Sequence, residues 1–166
     1  LHGRFDAYLG QRVLEVGSGI GNQTRYFVDR ERVIASDVDP FYLEQLRVRF
    51  GARPNVRLAS FRFPLTPADV DDLRAERVDS IVCLNVLEHI EDHAGTLRDF
   101  STVLQPGGHL ALLVPAPGGP PAGRGAVPPR GFRRAAAGLP AGARSSASVV
   151  PSPAIVVMTP VAPSTR

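Results

Sequence analysis

Val13-Leu14-Glu15-Val16-Gly17-Ser18-Gly19-Ile20-Gly21-Asn22 is the stretch on which the reading of this chain turns. Over residues 12–16, Val13, Leu14 and Val16 with one acid near the end give the pattern of a buried strand, and the glycines after it read as a loop that opens a helix. Their spacing is G-x-G-x-G. A dinucleotide fingerprint needs G-x-G-x-x-G, and Asn22 stands where its third glycine would be. The loop therefore points away from nicotinamide and flavin dinucleotides.

Working outward, strand-like and helix-like segments alternate from Arg4 to Val114, the grammar of an α/β sheet. A short helical lead-in over residues 4–9 precedes the first strand, and a helix is expected over residues 22–29. A second strand spans 32–36. Asp39 and Pro40 then fit an N-cap and a first helical position, and Phe41, Leu43, Leu46 and Phe50 mark a helical stripe that stops at Gly51. Residues 56–60 form a third strand, 67–76 a helix, and 78–84 a nearly all-apolar strand suited to a sheet centre. A helix over 92–104 ends before Pro106-Gly107-Gly108, and residues 109–114 complete a fifth strand. The expected fold is a Rossmann-like, open and mostly parallel sheet with ligands at the strands' carboxyl ends.

After Pro115 the periodicity stops. This segment holds 11 of the 16 prolines, six arginines and no acid. Its composition predicts a disordered tail over 117–166 beside a folded domain over 1–116. The apolar run 154–158 could pair with a strand, but the prolines around it argue against a central position. The charge balance follows the same division. The overall charge is +3, yet residues 1–114 carry 13 Arg against 16 acids, so the excess positive charge belongs to the tail. No nucleic-acid groove is expected in the folded part. No apolar run reaches the roughly 18 residues of a membrane span. A single cysteine, Cys83, fits a reducing, cytoplasmic setting. The first ten residues lack the apolar centre of a signal peptide, and a chain opening on Leu1 suggests an incomplete N-terminus.

Four motifs taken in order, Val13-Leu14-Glu15-Val16-Gly17-Ser18-Gly19-Ile20-Gly21, Ile34-Ala35-Ser36-Asp37, Asn85-Val86-Leu87-Glu88-His89 and Leu104-Gln105-Pro106-Gly107-Gly108, resemble the class I S-adenosylmethionine-dependent methyltransferases. The resemblance covers about residues 4–116. It implies S-adenosyl-L-methionine as cofactor and methyl transfer to an acceptor, here expected to be a small molecule or a lipid-like metabolite. It also implies a seven-stranded sheet, of which five strands are legible. The last two, an antiparallel pair beside the fifth strand, have no counterpart after Val114. A frameshift near Pro115 would explain this, and would leave residues 110–114 as an exposed apolar edge.

The site residues follow from the motifs. Gly17, Ser18, Gly19 and Gly21 form the loop against the cofactor, where a missing Cβ allows close approach. A helix starting near Asn22 would aim free amides at the methionine carboxylate. Asp37, 20 residues past Gly17, offers two oxygens to the ribose hydroxyls. The resemblance places Val38 against the adenine face and Asn85 against the methionine part. Glu15 either bonds loop amides or meets the ligand. His89 either acts as general base or positions its turn; imidazole exchanges protons near neutrality. His89 and His93 with nearby acids have a spacing open to metal, but acids at a helix start are ordinary, so no metal is expected. Cys83 reads as core. The family often carries an acid after the third strand to hold the adenine amino group. Ser60-Phe61-Arg62-Phe63 has none, and Arg62 stands near its place. Two competing readings are a non-catalytic cofactor-binding remnant and a nicotinamide-dependent oxidoreductase.

Overall fold

A computed structural model of the chain describes residues 6–114, 148–150 and 155–158. Its strands are β1 Arg12–Val16, β2 Arg32–Ser36, β3 Val56–Ala59, β4 Ser80–Leu84, β5 His109–Leu113, β6 Ser148–Val150 and β7 Ile155–Met158. Its helices are α1 Pro40–Phe50, α2 Pro67–Ala75 and α3 His93–Val103. The sheet runs in the order β3-β2-β1-β4-β5-β7-β6. The first five strands pair in parallel, as the alternation predicts.

Central strands carry apolar side chains to both faces of the sheet. On one face Leu14, Ile34, Ile81 and Leu112 pack with Leu73 of α2 and Phe100 of α3. On the other, Val13, Val33, Val82 and Ala111 pack with Phe27 and with Leu46 and Phe50 of α1. The helix starts are capped as their residues dictate. Asp39 accepts from the Phe41 N–H at 2.8 Å, Thr66 and Asp69 form a reciprocal capping box, and Asp92 accepts from Gly95 N–H at 2.7 Å. At the amino ends of β2 and β3, Arg32 and Arg57 close on Glu76 at 2.8 and 2.9 Å. These guanidinium hydrogen bonds hold the Glu76 carboxyl down at about 2 and tie the end of α2 to the sheet.

Two expectations are corrected. Residues 22–29 do not form a regular helix. They hold a 3-10 turn, Thr24–Tyr26, in which the Tyr26 and Phe27 amides each reach back three residues. Thr24, Tyr26, Phe27 and Val28 are β-branched or aromatic and gain little from helix, while fully buried Phe27 must drop into the core. The second correction concerns the far edge of β5. The sheet has seven strands, not five: β7 pairs antiparallel with β5, from Leu110↔Met158 to Leu113↔Ile155, and β6 pairs with β7. Unpaired backbone along β5 finds partners this way. The apolar run 154–158, open to pairing by its sequence, does pair, and the prolines that argue against a central position, Pro153 and Pro160, fall outside the paired residues. The rest of the predicted tail lies outside the described residues.

Candidate active site

The strand order lays the carboxyl ends of β3, β2, β1 and β4 side by side, and the segments leaving them build the site. After β1, the Gly17 and Ser18 amides both donate to the Ser36 carbonyl at 2.9 Å, which folds the glycine loop across the end of β2. Gly17 has φ +72 and approaches Val86 so closely that a Cβ there would lie 2.3 Å from Val86 Cγ2. Gly19 has φ +53 with open space where its Cβ would be. Its N–H donates to Asp37 Oδ2 at 2.9 Å, while the Asp39 N–H donates to Asp37 Oδ1 at 3.0 Å. Both carboxylate oxygens are thus aimed by backbone, and each keeps lone-pair capacity for a further donor.

These residues border a cavity of about 600 Å³. Gly17, Gly19, Asp37, Val38, Asn85 and His89, all expected from sequence, line it together. The strand ends Val16 and Ser36 complete the lining with Ile20, Tyr42, Phe61, Phe63, Val86 and Ile90, none of which the sequence alone singles out as a site residue. Tyr42 comes from α1 and the two phenylalanines from the segment after β3. Only the topology brings them to one place, although an aromatic pair directly after a strand was a usable signal. Asn85 sits at φ 55, a conformation that asparagine tolerates better than most residues. His89 ends the 3-10 turn Leu87–His89 and is exposed at the mouth.

Three expected site residues lie elsewhere. Glu15 and Ser18 border a neighbouring recess of about 180 Å³ with Asn22 and Gln23. Gly21 lines neither space. With φ +83 it gives room to Phe50, whose ring a Cβ would meet at 2.4 Å. The anion-binding helix start expected near Asn22 is also absent, because the loop runs into a single 3-10 turn.

Glu15 is 3% exposed and accepts from Thr24 Oγ1 at 2.5 Å. Burial pushes its carboxyl up to about 7; the Thr24 and Ser18 hydroxyls oppose the shift, and the charge of Asp37 adds to it. The folded protein therefore holds a proton on Glu15 that the unfolded chain has lost, between the ordinary value of 4.5 and about 7. In that window stability falls as pH rises, by about 3 kcal/mol at most from this group. Glu15→Gln is expected to melt higher than the parent at pH 8 and to differ little at pH 4.5. Thermal denaturation across pH checks this; equal melting temperatures at pH 8 would refute it. Cys83 is buried, and desolvation, with the charge of Glu88 adding, raises its thiol to about 12. It is an inert core residue.

Comparison with known proteins agrees with this architecture. A family model described as a methyltransferase domain matches residues 14–110. The ubiquinone biosynthesis O-methyltransferase of Xanthomonas axonopodis pv. citri (strain 306) is 31% identical over 110 residues, covering 62% of this chain and 42% of that protein. The chain thus spans less than half the length of that relative. Among solved structures, the CurJ carbon methyltransferase superimposes with a TM-score of 0.70 at 17% identity, over 93% of this chain and 50% of that one. The trans-methyltransferase CalH, in complex with SAH, gives 0.66 at 22% identity, over 92% and 52%. At such identities these two speak for the fold.

Proposed function

This chain belongs to the methyltransferase-domain family, and from that premise we propose that its cavity binds S-adenosyl-L-methionine and directs methyl transfer to a small-molecule acceptor. The observation that carries the proposal is Asp37, its two oxygens aimed by the Gly19 and Asp39 amides at the edge of the cavity. A carboxylate so held suits the vicinal hydroxyls of a ribose. Gly17 and Gly19 supply the close backbone, Val38 the apolar contact for the base, and Asn85 the border on the β4 side. Glu15 and Ser18 support the loop from the neighbouring recess. The nicotinamide alternative fits less well, because the glycines follow G-x-G-x-G and Asn22 stands where a dinucleotide loop has its third glycine.

When bound, S-adenosylmethionine supplies an electrophilic methyl whose leaving group, a neutral thioether, needs no proton. The protein's task is then to hold two reactants in line and to accept a proton from the acceptor. His89 stands at the mouth for that second task. The relatives named O-methyltransferases favour an oxygen acceptor. Ile20, Tyr42, Phe63 and Ile90 around the cavity suit one with an apolar body. No described helix is long and apolar enough to cross a membrane. With Cys83 unpaired, a reducing cytoplasmic setting fits the chain.

Calorimetric titration with S-adenosylhomocysteine, paired with transfer of a labelled methyl to a panel of phenols, tests the proposal. Binding with turnover supports it, binding without turnover on any acceptor favours a cofactor-binding remnant, and absence of binding rejects it. Where turnover is found, His89→Ala is expected to lower it by about a hundredfold or more. Affinity for S-adenosylhomocysteine should stay within about twofold, since the imidazole acts on the acceptor. A comparable fall in both would place His89 in cofactor binding instead.

A further inference from the structure

We propose that the outer face of α1, with the loop tips beside it, docks on an anionic lipid surface and turns the mouth of the cavity toward the bilayer. Large apolar side chains exposed among the described residues are concentrated there: Ile20 on the glycine loop, Val38 after β2, and Phe41, Tyr42 and Val48 on α1. Phe41 is 62% exposed and Val48 76%. They stand seven positions apart, close to two turns, so they share one face of α1. Leu46 and Phe50 hold the opposite face in the core. A helix apolar on both faces is ordinarily covered on both. The Arg49 guanidinium donates to the Ile20 carbonyl and so joins the loop tip to this flank of the helix. Single exposed apolar residues are ordinary, but a contiguous set marks an interaction surface.

Charge decides what kind of partner fits. Residues 38–53 carry Arg47, Arg49 and Arg53 against Asp39 and Glu44. Asp39 is held at the helix cap, and Glu44 pairs with Arg47 at 3.5 Å. Arg49 and Arg53 have no ion-pair partner among the described residues. The first 114 residues are net acidic, so this face is positive against the trend of its own domain. Apolar groups that enter the acyl boundary and arginines that meet lipid phosphates strengthen each other at a membrane surface. Val48 and Ile20 have no ring to stack on a base, which sets nucleic acid aside. Ile20, Val38 and Tyr42 belong both to this surface and to the cavity lining. A docked molecule would therefore open its cavity onto the bilayer, where an acceptor with an apolar body partitions. That consequence rests on the cofactor reading above; the docking does not.

The experiment sediments the full chain with vesicles of phosphatidylcholine alone and with vesicles of equimolar phosphatidylcholine and phosphatidylglycerol. Binding to the anionic vesicles is expected to be stronger by about tenfold or more. Phe41→Ser/Val48→Ser should weaken it by about tenfold or more, and Arg53→Gln by about fivefold. Melting temperatures should stay near the parent's, because all three side chains are exposed. A parent that ignores anionic vesicles overturns the inference. So does a double variant that binds them as the parent does, which would move the binding to the arginine-rich sequence after Pro115. A parent that forms dimers by light scattering, lost in the double variant, and leaves vesicles alone gives this face to a second copy and overturns it too. Titration with S-adenosylhomocysteine in the absence of vesicles keeps the two readings apart. No binding there rejects the cofactor reading, and vesicle sedimentation still decides the docking.

Discussion

Asp37→Asn is expected to weaken S-adenosylhomocysteine binding by about a hundredfold or more, the largest functional loss from any single conservative change in the site. The two oxygens of Asp37 each accept one backbone N–H, from Gly19 and from Asp39. An amide in either orientation sets its NH2 against one of those donors, so the side chain must turn away. The change also removes the negative charge that makes each hydrogen bond to a ribose hydroxyl worth about 1.5–3 kcal/mol. Two such bonds account for two decades or more. The fold should survive, since Asp37 is half-buried and the Asp39 amide lies where water can reach it. Calorimetry and thermal denaturation on the same sample separate the two effects. Unchanged affinity would remove the sugar from this part of the cavity.

Gly17→Ala is expected to have the largest structural effect. At φ +72 an L-residue is strained by roughly 1–2 kcal/mol. The new methyl would also stand 2.3 Å from Val86 Cγ2, and a β-branched side chain has no flexible end to move aside. Overpacking of this kind typically costs about 1–3 kcal/mol more. Relief can come only by lifting the loop, which breaks the paired Gly17 and Ser18 bonds to the Ser36 carbonyl and deforms the cavity. A fall in melting temperature of about 10 °C or more is expected for a domain of this size. Gly17→Ala/Val86→Ala should recover part of the loss, because it removes the contact and leaves the backbone strain. A Gly17→Ala protein that melts with the parent would show that the loop does not approach Val86 in this way.

The parts of this fold that were legible beforehand are those where a local rule and the tertiary structure agree. Asp39-Pro40 caps α1 because an aspartate acceptor followed by a fixed φ suits that position in any surroundings. The apolar β4 lies at the centre because nothing else tolerates Ile81-Val82-Cys83 buried on both faces. Gly17, Gly19 and Asp37 were legible as a set because a strand end fixes where the next few residues go. What escaped depends on distance. Phe61, Phe63 and Tyr42 meet only once β3, β2 and α1 have assembled, and their spacing does not announce it. Residues 22–29 depart from the helix that their local pattern predicts, because the demand of Phe27 for the core outweighs that pattern. Glu15 looked like half of a choice between structure and ligand. In the structure it accepts from Thr24 Oγ1 and borders the smaller recess, a contact that no periodicity announces.

The pairing of β7 with β5 joins Leu113 to Ile155 and Leu110 to Met158, and this long reach has a consequence for synthesis on the ribosome. The parallel part of the sheet can assemble as soon as Leu113 has left the exit tunnel, yet its last apolar strand waits for a segment made many residues later. Until then the nascent chain carries an open flank at β5. A chaperone that shields sheet edges would act in that interval, and pausing translation shortly after Val114 would lengthen it.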